Sequence, residues 1–418
     1  MMRVQTFPCS LSKADMDALN RESGRVYTNT LVWHYRINRR TGHWLSAYAA
    51  KRLEDYLGGS TSLYAHSRDA AQEGFYEACT AAKVQRTMGL EMRYPHRRKW
   101  YRTTKWKHTG IRLRDGALLL ARARGLAPLR IMLLGNLSTY PASAYKQVEL
   151  VWDRAARHYA WHVTIVDSCE SAIAPGSRVA AVDLGEIHPA TLTDGREAVV
   201  IGARRLRAPY QYTSKRMAEL KSRQDHKQKG SRRWKRLQRR KSRFLAQQKR
   251  QARDIEHTVS RAVVSWAQAH EVGTLAVGDA RSVADGKRPK KEQQQKIGLW
   301  SHGRQRQYLT YKAAAVGIHV ALVDERETSR TCPACGHQYK PCGCIYRRPV
   351  KMCGFVGHRD AVGSVNILSR YRYGAVGQML PLPLSATMYR HPAWIPSQGK
   401  RSPLDTGHVA RSVARTSG

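Results

Sequence analysis

The pattern of apolar and polar positions changes character several times along the chain. Residues 1–10 read as one short strand. From 11 to 95, Leu19, Val26, Leu31 and Val32 recur at loosely helical spacing behind Ser and Asp cap candidates, which predicts a helical lobe. Between 96 and 172 the pattern breaks into short β-rich segments such as APLRIMLLG and YKQVELVWD, several of them alternating and divided by Gly, Pro and Asp. A small antiparallel β-barrel is the economical reading, and with the first strand added to it the helical lobe becomes an insertion.

Residues 173–328 read as an α/β domain. RVAAVDLG opens a hairpin, a strongly basic run over 203–257 predicts two antiparallel helices turning near Gly230, and HTVSRAVVSWAQAHEVG follows as a further helix. TLAVGDA forms a strand ending at Gly278 and Asp279, a basic polar loop leads to a helix over about 301–316, and GIHVALVDE returns as a strand. Strands flanked by helices of this length imply parallel or mixed pairing. A cysteine-rich segment occupies 329–356 and a final helix 357–372. Residues 373–418, rich in Pro, Ser, Gly and Arg, lack a core pattern and are expected to be disordered or to lie along a polyanion. The fold class is multidomain α+β.

Charge narrows the function. Among 418 residues, 73 Lys and Arg face 31 Asp and Glu, for a net charge of +42. That excess is self-repulsive unless a polyanion neutralises it, so a nucleic-acid surface is expected. The densest run holds Arg232, Arg233, Lys235, Arg236, Arg239, Arg240 and Arg243, with Leu237 and Phe244 as a thin apolar stripe. Acidic partners for intrahelical pairing are nearly absent, which favours a nucleic-acid cradle over a salt-bridged solvent face. RYPHRRKWYRTTKWKH, residues 93–108, interleaves cations with Trp100, Tyr101 and Trp106, a mixture suited to neutralising phosphates and stacking bases. Without an 18-residue apolar run or a signal-peptide core, the expected location is cytoplasmic and nucleoid-associated, with no membrane partner.

Candidate chemistry sits in the second half. Asp183, flanked by Ala181, Val182 and Leu184, would be desolvated at a cost unless it bound a cation or accepted several hydrogen bonds. Five of the eight cysteines, Cys332, Cys335, Cys342, Cys344 and Cys353, crowd into one short segment, which reads as metal ligation in a reducing compartment. Cys9, Cys79 and Cys169 are isolated and read as small hydrophobes. CPAC at 332–335 has the spacing that brings two thiolates onto one tetrahedral ion. Just beyond the cysteines, Asp360 is a second carboxylate in apolar company.

Taken together, AVDLG, LAVGDAR, WSHGRQRQYLTYKAAAVG, TSRTCPACG and GHRDAVGSVNI resemble the TnpB family, transposon-encoded RNA-guided DNA endonucleases related to the type V CRISPR effectors. The specific part of the resemblance spans about 178–370. It implies an RNase H-like nuclease domain of the RuvC type with an inserted zinc ribbon, a wedge barrel carrying a recognition lobe, a guide RNA from the same locus, and double-stranded target DNA read beside a short flanking motif. One or two copies of the chain per RNA are compatible with it.

The resemblance places the first catalytic aspartate on Asp183 and the last on Asp360. Family members usually end the fourth core strand in Glu then Asp, whereas this chain has Gly278 then Asp279. Some relatives, including the eukaryotic Fanzor proteins, have a relocated glutamate near the position of Glu325, and VDERETSRTC fits that variant. Glu325 is therefore the preferred third ligand and Asp279 the competitor. The implied cofactors are two Mg2+ ions for phosphodiester hydrolysis and one structural Zn2+. For the zinc, Cys332, Cys335 and Cys353 are joined by Cys344 as preferred fourth ligand, with Cys342 as alternative and His337 also in reach. Arg359 could contact phosphate or pair on the surface, and His358 and Asn366 could support the metal ligands. The competing reading is a guided DNA-binding protein that does not cleave.

Overall fold

The computed structural model describes residues 2–133, 137, 139–155, 157–166, 172–185, 187–202, 204–279, 301–341, 343–349, 352–378 and 386–389, except for the side chains of 204–211. The basic loop expected at 284–296 and most of the tail lie outside these residues. The chain forms two compact units, Met1–Glu170 and Ser171–Gly418.

In the first unit β1 (Met2–Pro8) is followed by helices α1 (Lys13–Thr41), α2 (Ala47–Leu57) and α3 (Ala65–Thr87). Ser12 caps α1 by accepting from the Asp15 amide, and Gly42 closes it in the left-handed region. Strands β2 (Thr104–Lys107), β3 (Ile111–Arg114), β4 (Ala117–Leu120), β5 (Leu129–Met132), β6 (Tyr145–Asp153) and β7 (His158–Val166) come next. β1 pairs antiparallel with β7, so the three helices are an insertion between a sheet's first strand and the rest. Among the described residues the strands form a four-stranded sheet, β1-β7-β6-β2, and a three-stranded sheet, β3-β4-β5, sharing one apolar core. These two sheets replace the single barrel expected from the alternation. Buried Asn20 ties α1 to both edges of the β6–β2 pair, donating to the Leu150 carbonyl and accepting from the Thr104 amide and hydroxyl.

The second unit is built on a six-stranded mixed sheet in the order β12-β11-β8-β9-β10-β15. Here β8 is Arg178–Asp183, β9 Ala190–Thr193, β10 Ala198–Ile201, β11 Val272–Asp279, β12 His319–Asp324 and β15 Ala386–Tyr389. β8, β11 and β12 are mutually parallel, while β9 runs antiparallel to β8 and β10. β15 adds a parallel edge beside β10, so part of the tail expected to be structureless belongs to the sheet.

Helices α4 (Arg204–Asp225) and α5 (Arg232–Ala269) turn through Gly230, whose φ is +87°. α5 runs without interruption through the segment expected to be a separate helix. Its distal half is buried through Ile255, Val259, Val263 and Ala267. Together with α6 (His302–Ala314) this half covers one face of the sheet, against Ala180, Val182, Leu275 and Val277. α7 (Arg359–Tyr373) covers the other face, where Ile367 and Leu368 meet Ala181, Ala276 and Val323. A short hairpin, β13 (Ile345–Arg347) with β14 (Val356–His358), leads into α7.

Candidate active site

The two-residue period of the strands decides which side chains meet. Ala181, Ala276 and Val323 face α7, so Asp183, Gly278 and Glu325, each two residues on, point to the same face at the strands' C-terminal ends. α7 brings Asp360 to this face from its first turn. Asp279, one residue beyond Gly278, has the opposite parity, and its Oδ1 accepts from Arg306 Nη1 of α6 at 3.0 Å. It is thus held on the other face, which removes it as the replacement for a ligand at 278.

Glycine at 278 has a direct spatial counterpart. A Cβ there would lie 2.1 Å from Glu325 Oε1 and 2.7 Å from its Cδ, so the glutamate carboxyl occupies the space into which a side chain at 278 would project. Gly363 of α7 is constrained in the same way, its Cβ falling 2.5 Å from Asp183 Oδ2. The helix can therefore lie close over Asp183 only with glycine at that turn.

Asp183 lies within electrostatic reach of both other carboxylates. Burial pushes Asp183 well above the usual carboxylate range, and the charges of Glu325 and Asp360 push it further, against a smaller opposing effect of Arg359. Burial, with Asp279 and Asp324 nearby, raises Glu325 to about 7. Burial works against an ionised Asp360 too, but the hydrogen bond and charge of His188, with His358 and Arg359, outweigh it and lower its pKa. His188 Nδ1 lies 2.6 Å from Asp360 Oδ2. Glu325 Oε1 is buried with no hydrogen-bond partner. A buried carboxylate oxygen left unpaired, beside a second carboxyl held far above its normal pKa, is what a site built for cations presents without them. The donor set fits divalent metal.

Several neighbours have defined roles. His358 caps α7, its Nδ1 accepting from the Asp360 amide at 3.3 Å. Arg359 is half-buried among the carboxylates with an unpartnered Nε, which sets aside a surface ion pair for it. Asn366 is fully buried and donates to the Thr328 and Thr331 carbonyls, both at 2.7 Å, while accepting from the Gly377 amide at 2.9 Å. It clamps the connection that leads from Glu325 to the cysteines. His188, in the turn after β8, was not singled out by the sequence; the available signal was an imidazole five residues after the strand-end Asp183.

The cysteine segment gathers three sulfurs. Cys332, Cys335 and Cys353 lie within 4.8 Å of one another, with Cys332 and Cys353 3.7 Å apart. Burial raises the Cys332 thiol to about 11, whereas the backbone hydrogen bond at His337, the largest influence on Cys335, leaves that thiol lowered. Cys344 is not part of the group. Its carbonyl is pinned to the Arg359 amide, at the Ile345–His358 end of the hairpin, while Cys353 adjoins the Arg347–Val356 end. Cys342 lies outside the described residues.

The basic positions divide. Arg232, Arg233, Lys235, Arg236, Arg239, Arg240 and Arg243 are all exposed along the proximal half of α5. Trp100 is exposed. Trp106 is not available for stacking: it is 1% exposed, donates from Nε1 to the Ala121 carbonyl and packs edge-on against Trp161. Alternation in β2 turns Thr104 and Trp106 inward and Lys105 and Lys107 outward.

Two family models match parts of the chain, most of the matched residues lying in the second unit. Residues 162–284 match the family OrfB_IS605, described as probable transposase, and residues 302–367 match the Cas12f1-like TNB domain. A TnpB-like protein of Methanocaldococcus jannaschii is 27% identical over 130 residues, which is 30% of this chain and 45% of that protein. The chain thus matches less than half the length of this curated relative. A solved Cas12f1–sgRNA–target DNA complex superposes with a TM-score of 0.58 at 13% identity, over 84% of this chain and 82% of that one. CasPhi-2 (Cas12j) bound to crRNA gives 0.52 at 10% identity, over 91% and 99%. These two likenesses establish a shared fold, and the sequence matches support the resemblance of the chain to the TnpB family.

Proposed function

We propose that the chain is an RNA-guided DNA endonuclease that hydrolyses target phosphodiesters at the Asp183, Glu325 and Asp360 site. The observation that supports this most is the fit of the Glu325 carboxyl into the space beside Gly278. A chain that had simply lost a ligand at 278 would have no reason to bury a second carboxylate there. The strand order of the second unit, with β8, β9 and β10 followed by β11 and β12 on the other side of β8, is compatible with an RNase H-like domain of the RuvC type.

Two divalent ions bound here would activate water for in-line attack and stabilise the leaving oxygen. Asp183, Glu325 and Asp360 would hold them, Mg2+ being suited to such oxygen donors. Asp183 sits at the centre, since both other carboxylates act on it. His188 fixes the Asp360 carboxylate, and Arg359 offers a cation beside the site for an entering phosphate. Gly363 lets α7 close over Asp183 and limit water there.

Sequence would be read by guide-to-target pairing, with the protein holding the backbones. The proximal half of α5 and Trp100 are the surfaces assigned to that work. The three clustered cysteines would hold one structural Zn2+, stabilising the segment between Glu325 and Asp360.

The test is cleavage of a plasmid library with randomised flanks by the protein copurified with RNA from its own locus, in Mg2+, beside Glu325→Gln and Asp279→Asn. Cleavage should be lost in Glu325→Gln and retained in Asp279→Asn. Guide-dependent binding without any cleavage by the parent would replace this reading with a non-cleaving targeting protein.

A further inference from the structure

The start of the basic run over 93–108 forms a cavity with α1 that none of the sites described above uses. Leu31, Val32, Tyr35 and Tyr94 give it an apolar and aromatic lining, and Arg39, Arg93 and Arg98 bring cations to it, around a volume of about 420 Å3. The four lining residues belong to one apolar cluster, in which Tyr27 and Phe75 are buried. The three arginines are exposed. Neither VWHYRINRRT at 32–41 nor RYPHRRKWYRTTKWKH at 93–108 contains an acidic residue, so the local sequence supplies these cations with no counterion.

The segment over 94–101 has no regular secondary structure, yet it is pinned to α1 at three levels. Tyr35 donates from its hydroxyl to the Pro95 carbonyl at 2.9 Å. Thr28 donates to the Lys99 carbonyl at 3.2 Å and accepts from the Lys99 amide at 3.1 Å. A Cβ on Gly24 would fall 2.4 Å from the Trp100 carbonyl carbon, so the segment crosses the helix with no room for a side chain there. Tyr94 is held from further sides, with the Arg86 guanidinium of α3 5.2 Å from its ring centroid and the Trp44 ring 5.1 Å away. The lining is therefore set before a ligand arrives, which removes part of the ordering cost of binding.

An aromatic floor beside several cations asks for a ligand that carries both a flat apolar face and negative charge. A free phosphate would leave the tyrosines unused, and an apolar peptide would leave the guanidinium groups without a partner. A nucleotide supplies both, its base packing on tyrosine and its phosphates meeting arginine. To reach the floor the base has to leave its stack, which a duplex resists, whereas unpaired positions of RNA offer bases already splayed out. Resting on the RNA-guided reading above, we propose that this cavity is a binding site for one unpaired nucleotide of RNA, with the base on Tyr35 and Tyr94 and the flanking phosphates on Arg39, Arg93 and Arg98. It is distinct from the backbone contacts assigned to α5, because it needs a base that is out of its helix.

The experiment uses the full chain freed of nucleic acid and two pools of short single-stranded RNA of randomised sequence, one carrying 4-thiouridine and the other 6-thioguanosine. Long-wavelength light couples a thio-base to the residue it lies on, and mass spectrometry of the peptides maps the adducts. Adducts are expected on the peptides that hold Tyr35 and Tyr94. They should fall about tenfold in the double variant Arg39→Ala with Arg98→Ala and in Tyr94→Leu, and persist in Tyr94→Phe, which keeps the ring. Both arginines are exposed, so the double variant should melt like the parent and its loss reports binding instead of misfolding. Hairpin RNAs whose thio-bases are confined to paired positions should label neither tyrosine.

Adducts confined to α5 or to other surfaces, with Tyr35 and Tyr94 unlabelled, would overturn this proposal and leave the guided nuclease standing. Labelling of the two tyrosines that is as strong with matched single-stranded thio-DNA, or with paired thio-bases, would overturn the assignment to unpaired RNA. Failure of the chain to retain any RNA in filter binding would overturn the proposal and the RNA-guided reading together.

Discussion

At the scale of single residues, the site turns on parity and on one exchange of volume. Asp183 was legible in the sequence because a carboxylate inside an apolar strand needs a reason, and Asp360 because it sits in the apolar start of a helix. Glu325 was legible only through resemblance to a family variant, since nothing in VDE alone says that its carboxyl reaches across to Gly278. Asp279 looked plausible by spacing and fails because a shift of one residue changes the face of the sheet. Trp106 was misassigned although the TKWK alternation contained the answer, its composition having outweighed its period. The unequal titration of the carboxyls makes a prediction. Glu325 has its pKa raised to about 7, above the ordinary unfolded value, so its contribution to stability is fully present below the unfolded pKa and is lost as pH rises through 7. Glu325→Gln removes that loss. Without divalent ions the variant should unfold about 2–6 °C higher than the parent at pH 8, for a difference of about 1–2 kcal/mol, and within about 1 °C at pH 5. Thermal melts at both pH values in chelator decide it; a parent as stable as the variant at pH 8 would mean that the Glu325 charge is not confined.

Among elements, α5 divides its labour along its length. The distal half is held by burial of Ile255, Val259, Val263 and Ala267 against the sheet, while the proximal half extends its basic side chains into solvent beside α4. Gln224 of α4 bonds Gln238 and accepts from Lys241 of α5, and Tyr212 meets Phe244 edge-on, so the pair is braced where its apolar stripe is thin. The sequence exposed the charge run and the turn at Gly230. It hid the continuity of the helix, because the change from charged to apolar composition mimics a boundary. Arg239, Arg240 and Arg243 are exposed, so replacing all three with Ala should leave the melting temperature nearly unchanged. RNA affinity should fall, and the slope of log affinity against log salt should decrease by up to about 3, given roughly one phosphate per arginine. Filter binding over a salt series measures it, and an unaltered slope would take this helix out of the interface.

On the scale of the whole molecule, the insertion of three helices after β1 was legible because a lone strand at the chain start needs a distant partner, which β7 supplies. Closure was not legible: alternation tells which face of a strand is buried, and both a barrel and two sheets over one core satisfy it. The edge strand β15 escaped notice because four residues amid Pro and Ser give too short a period to read. What composition states without ambiguity is the net charge of +42. Charge of that size opposes compaction, and a bound polyanion relieves it while also stabilising the folded state by mass action. On the proposed reading, guide RNA at about 100 times its Kd should therefore add on the order of 2.7 kcal/mol, and the gain should shrink as salt weakens binding. The measurement is a set of melts with and without RNA between 50 mM and 500 mM salt. A gain that is large at low salt and nearly gone at the top of the range is the expected outcome for binding through phosphates. A gain independent of salt would mean that the cations on this surface are not what holds the RNA.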